Sequence, residues 1–181
     1  MNSAIALLIA LQSGQAASPP PPAPPAPACD SEAHAGFDFW LGEWDVFPAS
    51  NPDTKIADSR IERKHAGCAV VEHWMPLRGQ GGTSLNHYDT EAGMWRQKWV
   101  GASPGAVEFV GGLTDGRMVL TGNWPAPAAP HQLVRMTYTA NTDGSVRQFG
   151  EASTDHGLSW QVSFDFTYRP RKAVPTQDEP E

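Results

Sequence analysis

Turn-forming residues recur along this chain at intervals too short for long helices. Gly, Asp, Asn and Pro cluster repeatedly after residue 50, at 52–53, 79–82, 89–93, 104–105, 115–116, 143–144 and 155–157. Many short segments separated by tight turns are typical of an antiparallel meander that closes into a barrel or folds as a sandwich. At most, residues 34–41 form one short helical turn, and the proline-broken stretch 124–131 is a loop between strands.

The segments between these turns alternate between apolar and polar residues, as half-buried strands do. The clearest is WQVSFDFTY at 160–168, which places Trp160, Val162, Phe164, Phe166 and Tyr168 on one face. Three more segments, 68–75, 94–100 and 133–139, alternate in the same way. The pattern predicts an all-β domain.

Composition divides the chain into four parts. Residues 1–17 contain the apolar run AIALLIAL and then small residues, as in a signal peptide. Residues 18–30 are rich in proline and predict a semi-rigid linker. The barrel domain is expected over 31–171, and the polar end 172–181 is expected to be disordered. We therefore expect a periplasmic or extracellular protein.

Charge and cysteine content narrow the class of partner. The net charge is −7 and the basic residues are scattered, so no nucleic-acid partner is expected. No segment is long enough to span a membrane as an apolar helix. The only two cysteines, Cys29 and Cys68, predict a disulfide that joins the linker to the domain, with two free thiols as the alternative. A protein partner is unknown.

The first folded segment contains Gly42-Glu43-Trp44, which resembles the Gly-x-Trp step of lipocalins and other calycins. The resemblance implies that Gly42 turns the chain onto the first strand and that Trp44 closes the narrow end of a barrel. It also implies that a cation after the last strand, Arg169 or Arg171, packs over Trp44.

From about residue 37 to 170, the chain resembles a bacterial exported family of unknown function with a lipocalin-like barrel. The matching segments are FDFWLGEWDV, GCAVVEHW, TSLNHYD, WRQKWV, VRQFGEASTDHGLSW and FDFTYRP. The resemblance implies an antiparallel up-and-down β-barrel of calycin type with roughly eight to ten strands. It implies no activity, and the chain lacks the later Thr-Asp-Tyr motif of true lipocalins.

Several polar residues share a predicted strand face with aromatic ones. If these faces point inward, they line a pocket for a small, partly apolar molecule, formed by Glu72, Trp74, Asn86, Tyr88, Trp95, Gln97, Trp99 and Gln148. A barrel packed solid, acting as an envelope structural or interaction protein, is one alternative. Another is a hydrolase or isomerase that uses Glu72 or Glu151 as acid or base.

Other motifs favour structural roles. STDHGLSW at 153–160 fits a hairpin brace with Trp160 packed beneath it, and its Ser, Asp and His lie too close together for a catalytic triad. No cofactor is expected; haem on an axial His is an alternative, although His73 and His87 are predicted to face outward. No metal site is expected, because no residues have metal-ligand spacing.

Overall fold

A computed structural model of the protein describes residues 29–172. Ten antiparallel strands form one closed barrel. The strands are β1 Gly42–Pro48, β2 Ala57–Lys64, β3 Ala69–Pro76, β4 Gly82–Asp89, β5 Met94–Val100, β6 Val107–Thr114, β7 Arg117–Asn123, β8 Leu133–Ala140, β9 Val146–Ser153 and β10 Gln161–Pro170. The predicted signal peptide and most of the predicted linker and tail lie outside the described residues.

Every strand pairs with its neighbours in the chain, and β1 pairs with β10 to close the barrel. In the closing pair, Trp44 lies opposite Pro170 and Val46 opposite Tyr168. The predicted up-and-down antiparallel barrel is therefore confirmed, at the upper end of the expected strand number. Closure leaves no free sheet edge, so every strand can satisfy its backbone groups on both sides.

Inward and outward residues alternate along the strands as the sequence predicts. On β3, for example, Val70 and Glu72 are buried, and on β5 Trp95 and Gln97 are buried. On β8 the buried residues are Val134, Met136 and Tyr138.

One strand departs from the prediction. On β9 and β10, Val162 lies opposite Glu151, but Phe164 lies opposite Gly150, so Ser163 is an extra residue in a β-bulge. The bulge reverses the alternation. Phe164, Phe166 and Tyr168 contribute to the interior, whereas Val162 is 66% exposed. The prediction that Trp160 and Val162 share the inner face with these residues is wrong for this reason.

A plug formed by residues 31–41 closes one end of the barrel. Its only regular element is the 3-10 turn Asp38–Trp40, as predicted for this stretch. Phe37 and Trp40 are fully buried, and the ring centroid of Phe37 lies 5.1 Å from that of Trp95 and 5.2 Å from that of Tyr138. The Trp95 indole N–H donates to the carbonyl of Ala33 at 3.1 Å. We call this the plugged end and the opposite end the mouth.

Gly42 and Trp44 lie where the strand meets the plug. Gly42 has a φ of +133°, which favours glycine over other residues. Trp44 is buried, donates its indole N–H to the Trp40 carbonyl at 3.0 Å, and contacts Tyr168 edge-on. Both residues therefore lie at the closed end of the barrel, where the Gly-x-Trp resemblance places them.

The cation expected over Trp44 is elsewhere. The guanidinium carbon of Arg169 lies 4.2 Å from the ring centroid of Phe47, because residue 169 faces outward from β10 like residue 47 from β1. Arg171 instead hydrogen-bonds the backbone carbonyl of Trp44 and forms ion pairs with Asp45 and Asp58. The prediction that Arg169 or Arg171 packs over the Trp44 ring is corrected accordingly, because the cation–aromatic contacts within residues 29–172 involve other rings.

The Cys29–Cys68 disulfide is present, and it joins the start of the described chain to the short turn between β2 and β3. This turn lies at the plugged end, so the bond holds the segment leading into the plug against the barrel. A structural disulfide is typical of proteins from oxidising compartments. No helix among residues 29–172 is long and apolar enough to cross a membrane.

The predicted hairpin brace between β9 and β10 is also confirmed. The carboxylate of Asp155 accepts hydrogen bonds from the Ser153 hydroxyl and from the amide and hydroxyl of Ser159. These bonds, first among them those of Ser159, lower the pKa of Asp155 to about 2. Trp160 donates to the Gly157 carbonyl at 3.1 Å, and its ring lies 4.2 Å from the Arg135 guanidinium carbon.

Candidate functional site

A closed circuit of hydrogen bonds crosses the middle of the barrel interior. We call it the polar ring, and it consists of Glu72, Ser84, Asn86, Gln97, Tyr138, Gln148 and Tyr168. Its members come from β3, β4, β5, β8, β9 and β10. All seven are buried, which requires that they satisfy one another, because an unpaired polar group costs free energy in such a place.

Glu72 is the only carboxyl in the polar ring, and three hydroxyl groups surround it. Ser59 lies 3.0 Å and Tyr168 3.2 Å from its Oε1, and Ser84 donates to its Oε2 at 3.2 Å. Burial raises the pKa of Glu72 to about 7, against the three hydroxyl hydrogen bonds, which lower it. No Lys or Arg among residues 29–172 bonds this carboxyl, so near neutral pH it is divided between its protonated and ionised forms.

The other side of the ring is formed by the amides of Gln97 and Gln148 and the phenols of Tyr138 and Tyr168. The Gln148 Nε2 donates to the Tyr138 hydroxyl at 3.0 Å. The single proton of the Tyr168 hydroxyl is shared between Gln148 Oε1 at 2.7 Å and Glu72 Oε1 at 3.2 Å. Burial, together with the Glu72 charge, raises the pKa values of both tyrosines well above their ordinary range. Both phenols are therefore protonated at all physiological pH values and can donate.

The half of the barrel between the polar ring and the mouth, here called above the ring, contains a cavity of about 270 Å³. Six aromatic side chains, the aromatic wall, surround it: Trp74, Trp99, Phe109, Trp124, Phe164 and Phe166. The planes of Trp74 and Phe166 are stacked with ring centroids 5.8 Å apart, and those of Phe164 and Phe166 with centroids 5.2 Å apart. The floor is polar, formed by Glu72, Gln97, Tyr138, Gln148 and Tyr168 together with the thioether of Met136.

Trp124 comes from the proline-broken loop, which is braced at its base. The Trp124 amide donates to the Gln132 carbonyl at 2.9 Å, and the Gln132 side chain returns a hydrogen bond to the Trp124 carbonyl. These bonds place the indole edge-on to Phe109, with centroids 6.0 Å apart. The loop therefore contributes to the cavity as well as joining two strands.

The structure brings five of the eight predicted ligand-binding residues to one cavity: Glu72, Trp74, Gln97, Trp99 and Gln148. Asn86 is buried in the polar ring behind Gln97. Tyr88 and Trp95 lie below the ring, packed against His34 and Phe37 of the plug. The alternation identified these eight residues as inward correctly, but it contains no information about depth along the barrel.

Glu151, the other acid or base considered from the sequence, lies on the outer surface. It occupies an odd position on β9, where the inward residues are even, and both Nε and Nη2 of Arg135 bond its Oε2, at 3.0 and 2.9 Å. The hypothesis that Glu151 acts within the cavity is therefore corrected.

Sequence reasoning did not assign seven of the lining residues to the site: Phe109, Trp124, Met136, Tyr138, Phe164, Phe166 and Tyr168. Five of them were on strand faces that the alternation marked as inward, namely those on β8 and β10. Trp124 had no such signal, because it follows a strand and enters a loop.

Two histidines of the barrel strands, His73 and His87, lie on the outer surface. His73 faces outward, where its Nε2 lies 3.3 Å from Glu62, and His87 is exposed on β4. Both orientations agree with the predicted faces. Across residues 29–172, no group of three or more His, Cys, Asp or Glu side chains is arranged to hold a metal ion.

Fold and site together define a ten-stranded antiparallel barrel that is packed solid at one end and has an aromatic cavity at the other. The chain matches no model of a known protein family and no curated protein.

Proposed function

We propose that this protein binds a small, mostly apolar molecule in the cavity at its mouth. The observation that supports this most strongly is the combination of an aromatic wall with a polar floor around one space of about 270 Å³. Ligand sites are typically concave and mostly apolar, with a few convergent polar groups. A cavity of about 150 Å³ holds one benzene ring, so this space suits one or two fused rings.

The solid-barrel alternative accounts for only half of the interior. Below the polar ring, Phe37, Trp40, Trp95 and Met118 are buried in a continuous core. Above it, the wall residues Trp74, Trp99 and Phe166 remain partly exposed. A structural role would not need aromatic side chains held apart around a space, because contact between them would bury more apolar surface.

An enzyme that uses Glu72 as acid or base is the second candidate. Its support is the pKa of about 7 for a carboxyl on the cavity floor, which suits proton transfer near neutral pH. The binding function accounts better for the surroundings of Glu72, because Ser59, Ser84 and Tyr168 already occupy both carboxyl oxygens. We therefore propose a binding role for Glu72, as part of the polar floor, ahead of a catalytic one.

We also infer that the protein is exported and related to the bacterial exported barrels that its sequence resembles. The disulfide and the apolar segment within 1–17 support this inference. Mass spectrometry of the protein from its native cell, without reduction, tests it: a chain lacking about the first 17 residues is expected. An intact N-terminus in the cytoplasmic fraction would contradict export.

The binding proposal is tested by comparing two Phe→Ala variants. Phe166→Ala removes a wall residue stacked on Trp74 and Phe164, whereas Phe149→Ala removes a ring on the outer face of β9. Calorimetric titration with naphthalene should show binding to wild type and to Phe149→Ala. Phe166→Ala should bind about three- to tenfold more weakly, since an aromatic contact contributes about 0.5–1.5 kcal/mol.

If naphthalene affinity fell equally in the two variants, the cause would be a general loss of stability and not a change in the cavity. Failure of naphthalene to bind the wild type would contradict the proposal itself. Native mass spectrometry of the protein from its own cells gives an independent measurement, because a bound mass lost on denaturation identifies a natural ligand.

A further inference from the structure

The polar ring leaves one acceptor and one donor on the cavity floor without strong partners. The orientation of its amides follows from a fixed point. Asn86 Nδ2 donates to the backbone carbonyl of Val70 at 2.9 Å, and a carbonyl oxygen can only accept. Asn86 Oδ1 must therefore face Gln97, and Gln97 must present its Nε2 to it, at 2.7 Å.

Gln97 Oε1 consequently points away from the ring. It accepts no hydrogen bond from any residue of the described chain, although Gln97 Nε2 makes two. It is not enclosed either, since the fully buried side-chain nitrogen and oxygen atoms without a hydrogen bond within 29–172 belong to Trp40 and Arg63. Because Gln97 lines the cavity, this oxygen is an acceptor available to a ligand.

Tyr138 supplies the complementary donor. Its hydroxyl oxygen accepts from Gln97 Nε2 at 3.3 Å and from Gln148 Nε2 at 3.0 Å. Its own proton has only the Met136 sulfur, 3.7 Å away, which is a weak acceptor. Burial raises the pKa of Tyr138, so the proton is retained. A ligand carbonyl above the floor would be a better acceptor for this proton than the thioether.

The two groups are held side by side by the Gln97–Tyr138 hydrogen bond. The floor therefore presents an acceptor next to a donor, the arrangement that complements an N–H beside a C=O on the edge of one ring. No Lys, Arg or His lies among the residues that line the described cavity, so a ligand carboxylate would have no cation to neutralise it.

We propose that the ligand is an uncharged, flat bicyclic or monocyclic compound with a lactam-like edge, whose N–H donates to Gln97 Oε1 and whose carbonyl accepts from Tyr138. The aromatic wall would enclose the rest of its rings. This inference rests on the proposed binding function and narrows it to a chemical class.

Three probes of similar size separate the two proposals. Quinolin-2(1H)-one has the adjacent N–H and C=O, coumarin has the same shape with a ring oxygen in place of the N–H, and naphthalene has neither group. Coumarin would direct an oxygen lone pair at Gln97 Oε1. In calorimetric titrations of the wild-type protein at about pH 6, we expect quinolin-2(1H)-one to bind at least about tenfold more tightly than coumarin.

Two variants assign the contacts. Gln97→Leu removes the acceptor and should bring the ratio of the quinolinone and coumarin affinities close to one. Tyr138→Phe removes the donor and should weaken both carbonyl probes about three- to tenfold more than it weakens naphthalene. If either variant fails to fold, the ratio measured on the wild type still decides the question.

Equal affinity of quinolin-2(1H)-one and coumarin for the wild type, with naphthalene bound, would overturn the lactam inference and leave the binding function in place. A tenfold ratio that persists in Gln97→Leu would overturn the role of Gln97. Absence of binding by all three probes would overturn the binding function and the inference with it.

Discussion

Among the carboxyl groups of residues 29–172, Glu72 is the one whose pKa the fold clearly raises. Its ordinary pKa is 4.5 and its folded value is about 7. The carboxyl groups of Asp45, Glu62, Asp89, Asp143 and Asp155 are shifted in the opposite direction, to below their ordinary values. Glu72 therefore affects stability above its ordinary pKa, whereas the five carboxyl groups with lowered pKa values affect it in more acidic solution.

The wild-type protein should lose stability as the pH rises from about 4.5 to about 7. In this window the folded state holds the Glu72 proton and the unfolded state has released it, so the free energy of unfolding falls with pH. Over the whole shift, the loss is on the order of 3 kcal/mol, and it levels off above the folded pKa. Urea unfolding at about pH 5 and about pH 8.5 measures it.

Glu72→Gln is the control for this prediction. The amide keeps an acceptor for Ser59 and resembles the protonated acid in shape and charge, so the variant should unfold with the same free energy at both pH values. A wild-type pH dependence that persists in Glu72→Gln would show that another group causes it. A wild-type protein without the pH dependence would contradict the raised pKa.

Trp44 is the junction between β1 and the plug, and its replacement tests that element. Trp44→Ala should lower the free energy of unfolding by about 3–5 kcal/mol, because it removes a buried ring and leaves the Trp40 carbonyl without its donor. Trp124→Ala at the mouth is the matched control and should cost less, because its ring is only partly buried. Chemical denaturation compares the two variants.

Equal losses from these two variants would contradict the role of Trp44 as part of the closed end. A near-wild-type Trp44→Ala would show that the plug holds without its junction to the first strand.

The elements of this barrel could largely be predicted from the sequence, whereas the ring across it could not. Alternation and turn residues are local, and they identified Glu72 and Trp74 as inward. The hydrogen bond from Tyr168 to Glu72 joins residues 96 positions apart, which no local pattern encodes. The bulge at Ser163 was missed for a related reason, since an extra residue leaves no mark on the apolar pattern until its partner strand is known.

At the scale of the whole molecule, the disulfide constrains the unfolded chain and fixes the plug. Cys29 and Cys68 are separated by 39 positions. The double variant Cys29→Ser, Cys68→Ser should lower the free energy of unfolding by about 2–4 kcal/mol, since the unfolded chain regains loop entropy. Urea unfolding without reductant measures this loss, and reduced wild type should match the variant.

Naphthalene affinity of the folded double variant is the internal control, because the disulfide and the cavity lie at opposite ends of the barrel. In buffer without urea and near neutral pH, the naphthalene affinity of this variant should equal that of wild type. A large loss of affinity with little loss of stability would indicate that the plug and the cavity are coupled through the polar ring.

The two ends of the described chain leave the barrel on the same side. Cys29 is bonded to the turn beside the plug, and the Arg171 amide donates to the Glu43 carbonyl at the start of β1. An affinity tag, a sensor surface or a fused enzyme joined directly before Cys29 or directly after Lys172 would thus start on the side opposite the mouth. The barrel of residues 29–172, immobilised through either of these junctions, would have its cavity facing the solution.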